Sequence, residues 1–152
     1  MMNTHEIETL LKRHPRTNEV FKGVYARNRL PRLLNVPSAL VGNTDPDNKP
    51  GRHWIAIYID ANSNGEYYDP TGTPPVLEPY LGFMNKHCRS WTYNTVKVQE
   101  EDSIVCGQHC IFYLIHRCAG RSMTDVTRKL EDPKEASDIV RNFVCVVNNV
   151  VW

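Results

Sequence analysis

At 152 residues, with 41% hydrophobic and 23% charged residues, the chain has the size and makeup of one globular domain, expected to span residues 1–152. Eighteen Lys and Arg against 17 Asp and Glu leave a net charge of +1, which excludes a strongly basic nucleic-acid-binding domain and an acidic solvating tail. The apolar stretches fall short of the roughly 18 residues that a membrane span needs, and the charged start MMNTHEIETLLKRH lacks the apolar centre of a secretory signal.

The first predicted element is a helix from Asn3 to His14. Asn3 and Glu6 have capping-box spacing, Ile7, Leu10 and Leu11 share one face, and Pro15 ends the helix. Residues 11–34 carry Lys12, Arg13, Arg16, Lys22, Arg27, Arg29 and Arg32 against Glu19 alone. This segment reads either as a solvated surface or as a patch for an anionic partner such as DNA. Residues 42–51 (GNTDPDNKPG) are turn chemistry. His53–Asp60 (HWIAIYID) reads as a buried strand, Asn62–Gly65 as a hairpin turn, and Glu66–Asp69 as a short partner strand. A helix is expected over residues 79–88 and a strand over Trp91–Val98.

Cys106–Cys118 (CGQHCIFYLIHRC) is apolar on nearly every side and reads as a buried helix. Ser122 caps a short helix to Leu130. Asp132, with proline next and Glu135 at the third position, starts a last helix with Ala136, Ile139, Val140, Phe143, Val144 and Val147 at helical spacing. Helix, hairpin, strand, buried helix and further helices, in that order, suggest an α+β fold.

The five cysteines are odd in number in a chain without an export signal, so reduced thiols are expected. Cys110, Cys118 and Cys145 read as helix residues. Cys106, His109, Cys110 and His116 make a weak zinc set, because a second paired knuckle is missing, and no metal site is expected.

Four features carry chemistry. His53 opens a buried strand, Asp69 closes the next one, Gln99 follows the third, and Cys106-Gly107 opens the buried helix. A thiolate is a strong nucleophile, and a helix N-terminus favours it through unpaired N–H groups and the dipole. An imidazole can take the thiol proton and pass it to a leaving amine. A carboxylate on the other ring nitrogen orients the imidazole. The Gln99 amide and the Cys106 backbone N–H suit an oxyanion hole. Gly107 lets backbone come close to a substrate.

His53-Trp54, Asp69-Pro70, Gln99 and Cys106-Gly107, in this order and with six residues between Gln99 and Cys106, resemble the adenovirus protease (adenain) family within the Ulp1-like cysteine proteases. Phe21-Lys22-Gly23-Val24-Tyr25, Leu30-Pro31 and the Ala39–Thr44 stretch resemble the same family outside the motif. Gly65–Asp69 and Trp91–Asn94 resemble copies carried by Maverick/Polinton-type elements and related viruses. The resemblance covers residues 20–118. It implies a papain-like or Ulp1-like fold, with a small, mainly antiparallel sheet packed on a central helix that bears the nucleophile, and helices flanking.

It further implies a thiol endopeptidase that matures viral or viral-element precursors, such as capsid precursors. Cys106 is then the nucleophile, His53 the base, Asp69 its orienting acid, Gln99 an oxyanion donor, and Trp54 with Gly107 the cleft wall. The family also implies an activating peptide joined by a disulfide, for which Cys88, eleven residues before Gln99, is the candidate, and weak DNA binding through residues 11–34. A monomer in the virion or in the host nucleus or cytoplasm, not secreted and without membrane contact, completes the expectation. Adenain carries Glu where Asp69 stands, whereas Ulp1-like relatives carry Asp, and this chain is shorter after Cys118. Two alternatives stand open: an isopeptidase acting on a ubiquitin-like modifier, and a non-catalytic binding module that retains the fold.

Overall fold

The computed structural model describes residues 1–49, 53–100 and 103–152. Helix α1 (Thr4–Arg13) starts at a capping box: Asn3 Oδ1 accepts the Glu6 N–H at 2.9 Å, and Glu6 Oε1 accepts the Asn3 N–H at 3.1 Å. Two otherwise orphaned helix donors are satisfied in this way. Its apolar stripe, Ile7, Leu10 and Leu11, is buried.

Five strands follow: β1 (Phe21–Tyr25), β2 (Ser38–Asn43), β3 (Trp54–Ile59), β4 (Asn64–Tyr68) and β5 (Ser90–Tyr93). They form one sheet in chain order. The two central pairings, β2 with β3 and β3 with β4, are antiparallel, and the outer pairings are parallel. The sheet is therefore mixed, where the sequence reading has it mainly antiparallel. A parallel neighbour needs a crossover of about a dozen residues. Residues 26–37 supply the first, around a 3-10 turn at Arg27–Arg29, and helix α2 (Tyr80–His87) lies in the second.

Alternation along the strands gives the sheet two apolar faces. Ala39, Val41, Trp54, Ala56 and Tyr68 share one core with α1, α3 (Cys106–Cys118) and α5 (Pro133–Asn148). Leu40, Ile55, Ile57, Ile59 and Tyr67 form the other with Tyr80, Phe83 and Met84 of α2. Because both faces are covered, β3 (WIAIYI) reads as an unbroken apolar run, and all six residues of β2 are buried. Helix α4 (Met123–Arg128) is capped by Ser122 and α5 by Asp132, as their sequence signatures predict.

Helix α3 is held to the sheet at its far end by a bidentate ion pair, Arg117 Nε to Glu66 Oε1 at 2.7 Å and Arg117 Nη2 to Glu66 Oε2 at 3.0 Å. The Tyr113 hydroxyl also donates to Glu66, and the Arg117 guanidinium lies 4.6 Å from the centre of the Tyr58 ring.

Some local expectations shift. Asn64 and Gly65 belong to β4, so the hairpin turn lies at Asp60–Ser63. There the Asp60 carboxylate accepts the N–H groups of Asn62 and Asn64 at 2.9 Å each, and Ser63 takes a φ of 63°. The strand expected to Val98 ends at Tyr93, because Asn94 turns its side chain inward to bond Asp69. Gly42 and Asn43 close β2 instead of opening a turn, and Pro50 and Gly51 of that expected turn lie outside the described residues.

Gly42 permits a close approach. A Cβ there would overlap the Tyr80 hydroxyl, which donates to the Asn43 carbonyl at 2.6 Å. Gly42→Ala is expected to destabilise the fold by about 1–3 kcal/mol through overpacking. Urea denaturation checks this: the midpoint should fall with an unchanged slope.

Candidate active site

The β3–β4 register pairs Ala56 with Tyr68, and its continuation sets Asp69 across from Ile55, two residues from His53. Diagonal neighbours on adjacent strands lie within side-chain reach. His53 Nε2 and Asp69 Oδ1 meet at 2.7 Å. Cys106 is close enough to raise the imidazole as well, and with Nε2 taken by Asp69 the ring nitrogen left for a thiol is Nδ1. Asp69, His53 and Cys106 thus form one chain of contacts, drawn from β4, β3 and the first residue of α3.

Burial pulls the His53 imidazole down, but its hydrogen bonds to Asp69 and Cys106, and their charges, more than offset this and raise it to about 10. At neutral pH the ring holds its second proton. A group raised on folding adds stability that is complete below its unfolded value of about 6.5 and is lost as pH climbs through about 10. Asp69 is buried, and its Oδ1 accepts two further bonds, from the Thr71 N–H at 2.9 Å and the Thr71 hydroxyl at 2.8 Å.

Cys106 is buried at the N-terminus of α3. Val105, the N-cap, offers no side-chain acceptor. The first-turn N–H groups take no bond from the N-cap side chain and lie at the thiol's end of the helix, where they favour negative charge.

Gln99 is 2% exposed. Its backbone N–H bonds the Pro70 carbonyl at 3.0 Å, and its amide Nε2 donates to the Ser103 carbonyl at 2.9 Å. It thereby links the loop after Asp69 to the segment that leads into Cys106. One Nε2 hydrogen remains, and Oε1 is buried without a partner.

Trp54 lies beside Gly107: a Cβ built on Gly107 would stand 3.4 Å from Trp54 Cδ1, 3.3 Å from Ile7 Cδ1 and 3.1 Å from Met2 Cβ. Cys88 stands apart from this group. It is half-buried in the second core against Gly65, where burial, with Asp60, pushes its thiol up to about 11. Among the described residues, no three His, Cys, Asp or Glu side chains gather as a metal site. His109 is buried with both ring nitrogens unpartnered, and burial pulls it down to about 4, so it is neutral.

Sequence reasoning about roles passed over Asn94. Its side chain is 2% exposed and continues the ladder between β4 and β5 by one residue. Oδ1 accepts the Asp69 N–H at 2.9 Å, and Nδ2 donates to the Asp69 carbonyl at 2.6 Å and the Val96 carbonyl at 3.2 Å. An Asn just past a strand of β composition was the available signal.

Asp69→Asn is expected to lower the His53 titration from about 10 towards or below 6.5, because burial then acts with little opposition. Asn94→Ala should lower it part of the way by loosening Asp69. Ring-proton NMR titration reads both, and an unmoved His53 in Asn94→Ala would assign Asn94 to stability alone.

No protein-family model and no curated protein matches the chain. Among solved structures, it resembles the ASFV pS273R protease with a TM-score of 0.51 and 23% identity, over 67% of this chain and 42% of that one. It thus spans less than half the length of that protein. It also resembles the central domain of Lpg1148 from Legionella pneumophila with a TM-score of 0.59 and 16% identity, over 99% of both. At these identities the fold is what is shared, and in the first case it is a fold that carries a protease.

Proposed function

We propose that the chain is a thiol endopeptidase that cleaves viral or viral-element precursor proteins. The observation that carries this reading is the 2.7 Å pair of His53 with Asp69, set beside Cys106 at the first residue of α3. The neighbouring fold of a protease supports it.

In the first step the Cys106 sulfur, as thiolate, attacks the scissile carbonyl carbon, and the carbonyl oxygen takes the electron pair. The second Nε2 hydrogen of Gln99 and the backbone N–H of Cys106 would stabilise that oxyanion, each worth about 3 kcal/mol. The C–N bond then breaks, and His53 Nδ1 gives its proton to the leaving amine, leaving a thioester on Cys106. His53, now neutral, accepts a proton from water as the hydroxide oxygen attacks the thioester. The acid product leaves, and His53 and Cys106 return to their starting state. Asp69 holds Nε2–H throughout, so Nδ1 always faces the sulfur.

Two partners belong to the proposal. Cys88 would take an activating peptide by disulfide exchange, although a thiol raised to about 11 exchanges slowly at neutral pH until docking exposes it. DNA would bind through the basic segment. Arg13 and Arg29 are spent on Asn148 with Val150 and on Asp47, whereas Arg27 and Arg32 line a cleft of about 300 Å³ with Lys86 and His87.

Cys106→Ala should abolish cleavage of precursor peptides with the fold intact by circular dichroism. Gln99→Ala should lower kcat about 10²-fold with KM little changed, as loss of a transition-state donor does. Full activity in Gln99→Ala removes the oxyanion assignment. Faster cleavage of a ubiquitin-like modifier fusion than of precursor peptides would move the substrate class to isopeptides. Anisotropy of a labelled DNA duplex should show a Kd that weakens steeply with salt and rises in Arg27→Ala/Arg32→Ala. Binding indifferent to salt and to both arginines overturns the DNA contact.

A further inference from the structure

A pocket of about 480 Å³ lies beside the candidate site, walled by Trp54, the residue after His53. Its polar wall is the end of β2 and the turn that follows. Asn43 pairs with Trp54 across the β2–β3 ladder and is 3% exposed. Its Oδ1 accepts the Asp45 N–H at 2.8 Å, which sets the amide's orientation, and its Nδ2 is buried with no partner. Asp45 Oδ2 is also closed to water and without a partner. The next carboxylate, Asp47, is spent on Arg29 at 2.7 Å and Asn28 at 2.9 Å, while Lys49 is exposed at the rim. Two residues that line the pocket therefore carry one amide donor and one carboxylate oxygen that are closed to water and have no partner among the described residues. Buried polar atoms in native folds are nearly always paired, so two in one pocket point to a ligand that supplies an acceptor and a donor.

The structure also indicates the form of that ligand. The Trp54 indole N–H donates to the main-chain carbonyl of Met2 at 3.1 Å. Met2 Cβ lies against the Gly107 backbone, one residue from the nucleophile, and Met1 and Met2 line the pocket. A stretch of peptide thus already lies across Trp54, recognised through its main chain and contributing only apolar side chains to the wall. A peptide with a basic side chain in this place brings what is missing: a carbonyl for Asn43 Nδ2 and a cation for Asp45. We propose that this pocket is a subsite for a substrate segment bearing Lys or Arg, and that Met1 and Met2 hold its place in this structure. The inference rests on the protease reading for the word substrate, but the binding step is separable from cleavage.

The test uses the full chain carrying Cys106→Ala and a positional-scanning set of fluorescent peptides that differ only in Lys, Gln or norleucine at each site. At one site, Lys should bind about tenfold tighter than norleucine, as a desolvated charge-assisted hydrogen bond implies. Asp45→Asn, which removes a carboxylate that has no ion-pair partner among the described residues, should bring the two peptides to equal affinity. Removal of Met1 and Met2, which leaves the Asn3 cap in place, should tighten all peptides together. Equal affinity in the parent chain, a Gln preference, or a Lys preference that survives Asp45→Asn overturns the subsite. Cleavage without a basic preference leaves the protease and removes the subsite. A Lys preference in binding, lost in Asp45→Asn, with no cleavage by the parent chain keeps the pocket and removes the protease.

Discussion

The 2.7 Å contact between His53 Nε2 and Asp69 Oδ1 is the interaction on which the candidate site depends. It joins the start of one strand to the end of its antiparallel neighbour, and it exists only in the observed register. A slip by one residue would turn one of the two side chains to the other face of the sheet. It also decides which imidazole nitrogen remains for Cys106. The charge on Asp69 lets a half-buried imidazole keep a proton that burial alone would remove.

Helix α3, which begins at Cys106, is held at both ends. At its start, Cys106 meets His53, and Gln99 spans from the Pro70 carbonyl to Ser103. At its end, Arg117 grips Glu66 in the middle of β4, with Tyr113 and Tyr58 packed around the pair. A thirteen-residue helix clamped this way cannot slide along the sheet without breaking a partly buried, bidentate ion pair. Ala39 and Ala56 share the core under α3, where small side chains on the central strands allow helix and sheet a close approach. Packing thus supplies the precision that three side chains from separate elements need.

The polar atoms left without partners are not spread evenly. Among the described residues, Asn43 Nδ2 and Asp45 Oδ2 lie at and just past the end of β2, the Tyr68 hydroxyl at the end of β4, Gln99 Oε1 seven residues before Cys106, and Gln108 Oε1 and both His109 nitrogens in the first turn of α3. Each costs the fold a desolvation penalty of about 1–3 kcal/mol unless something binds there. Asn43 and Asp45 share a pocket with Trp54, and such breaches of local consistency are expected at sites that act on another molecule.

Elements whose cause is local were legible in the sequence. The capping box at Asn3, the Ser122 and Asp132 caps and the apolar run Cys106–Cys118 each encode a helix within a few residues, and each helix formed there. The order His53, Asp69, Gln99, Cys106 was legible as chemistry because the residue types restrict the reaction they suit. Strands β1 and β2 were not, since a parallel edge pairing depends on a partner and a crossover that periodicity in one segment does not report. The Asn94 bridge was hidden for the same reason, because its value lies in the Asp69 backbone 25 residues away. The sequence by itself determined which groups exist and which helices carry them. The tertiary structure alone decided that an imidazole and a carboxylate from neighbouring strands meet beside a thiol from a third element, because strand register and helix docking are set by packing between segments.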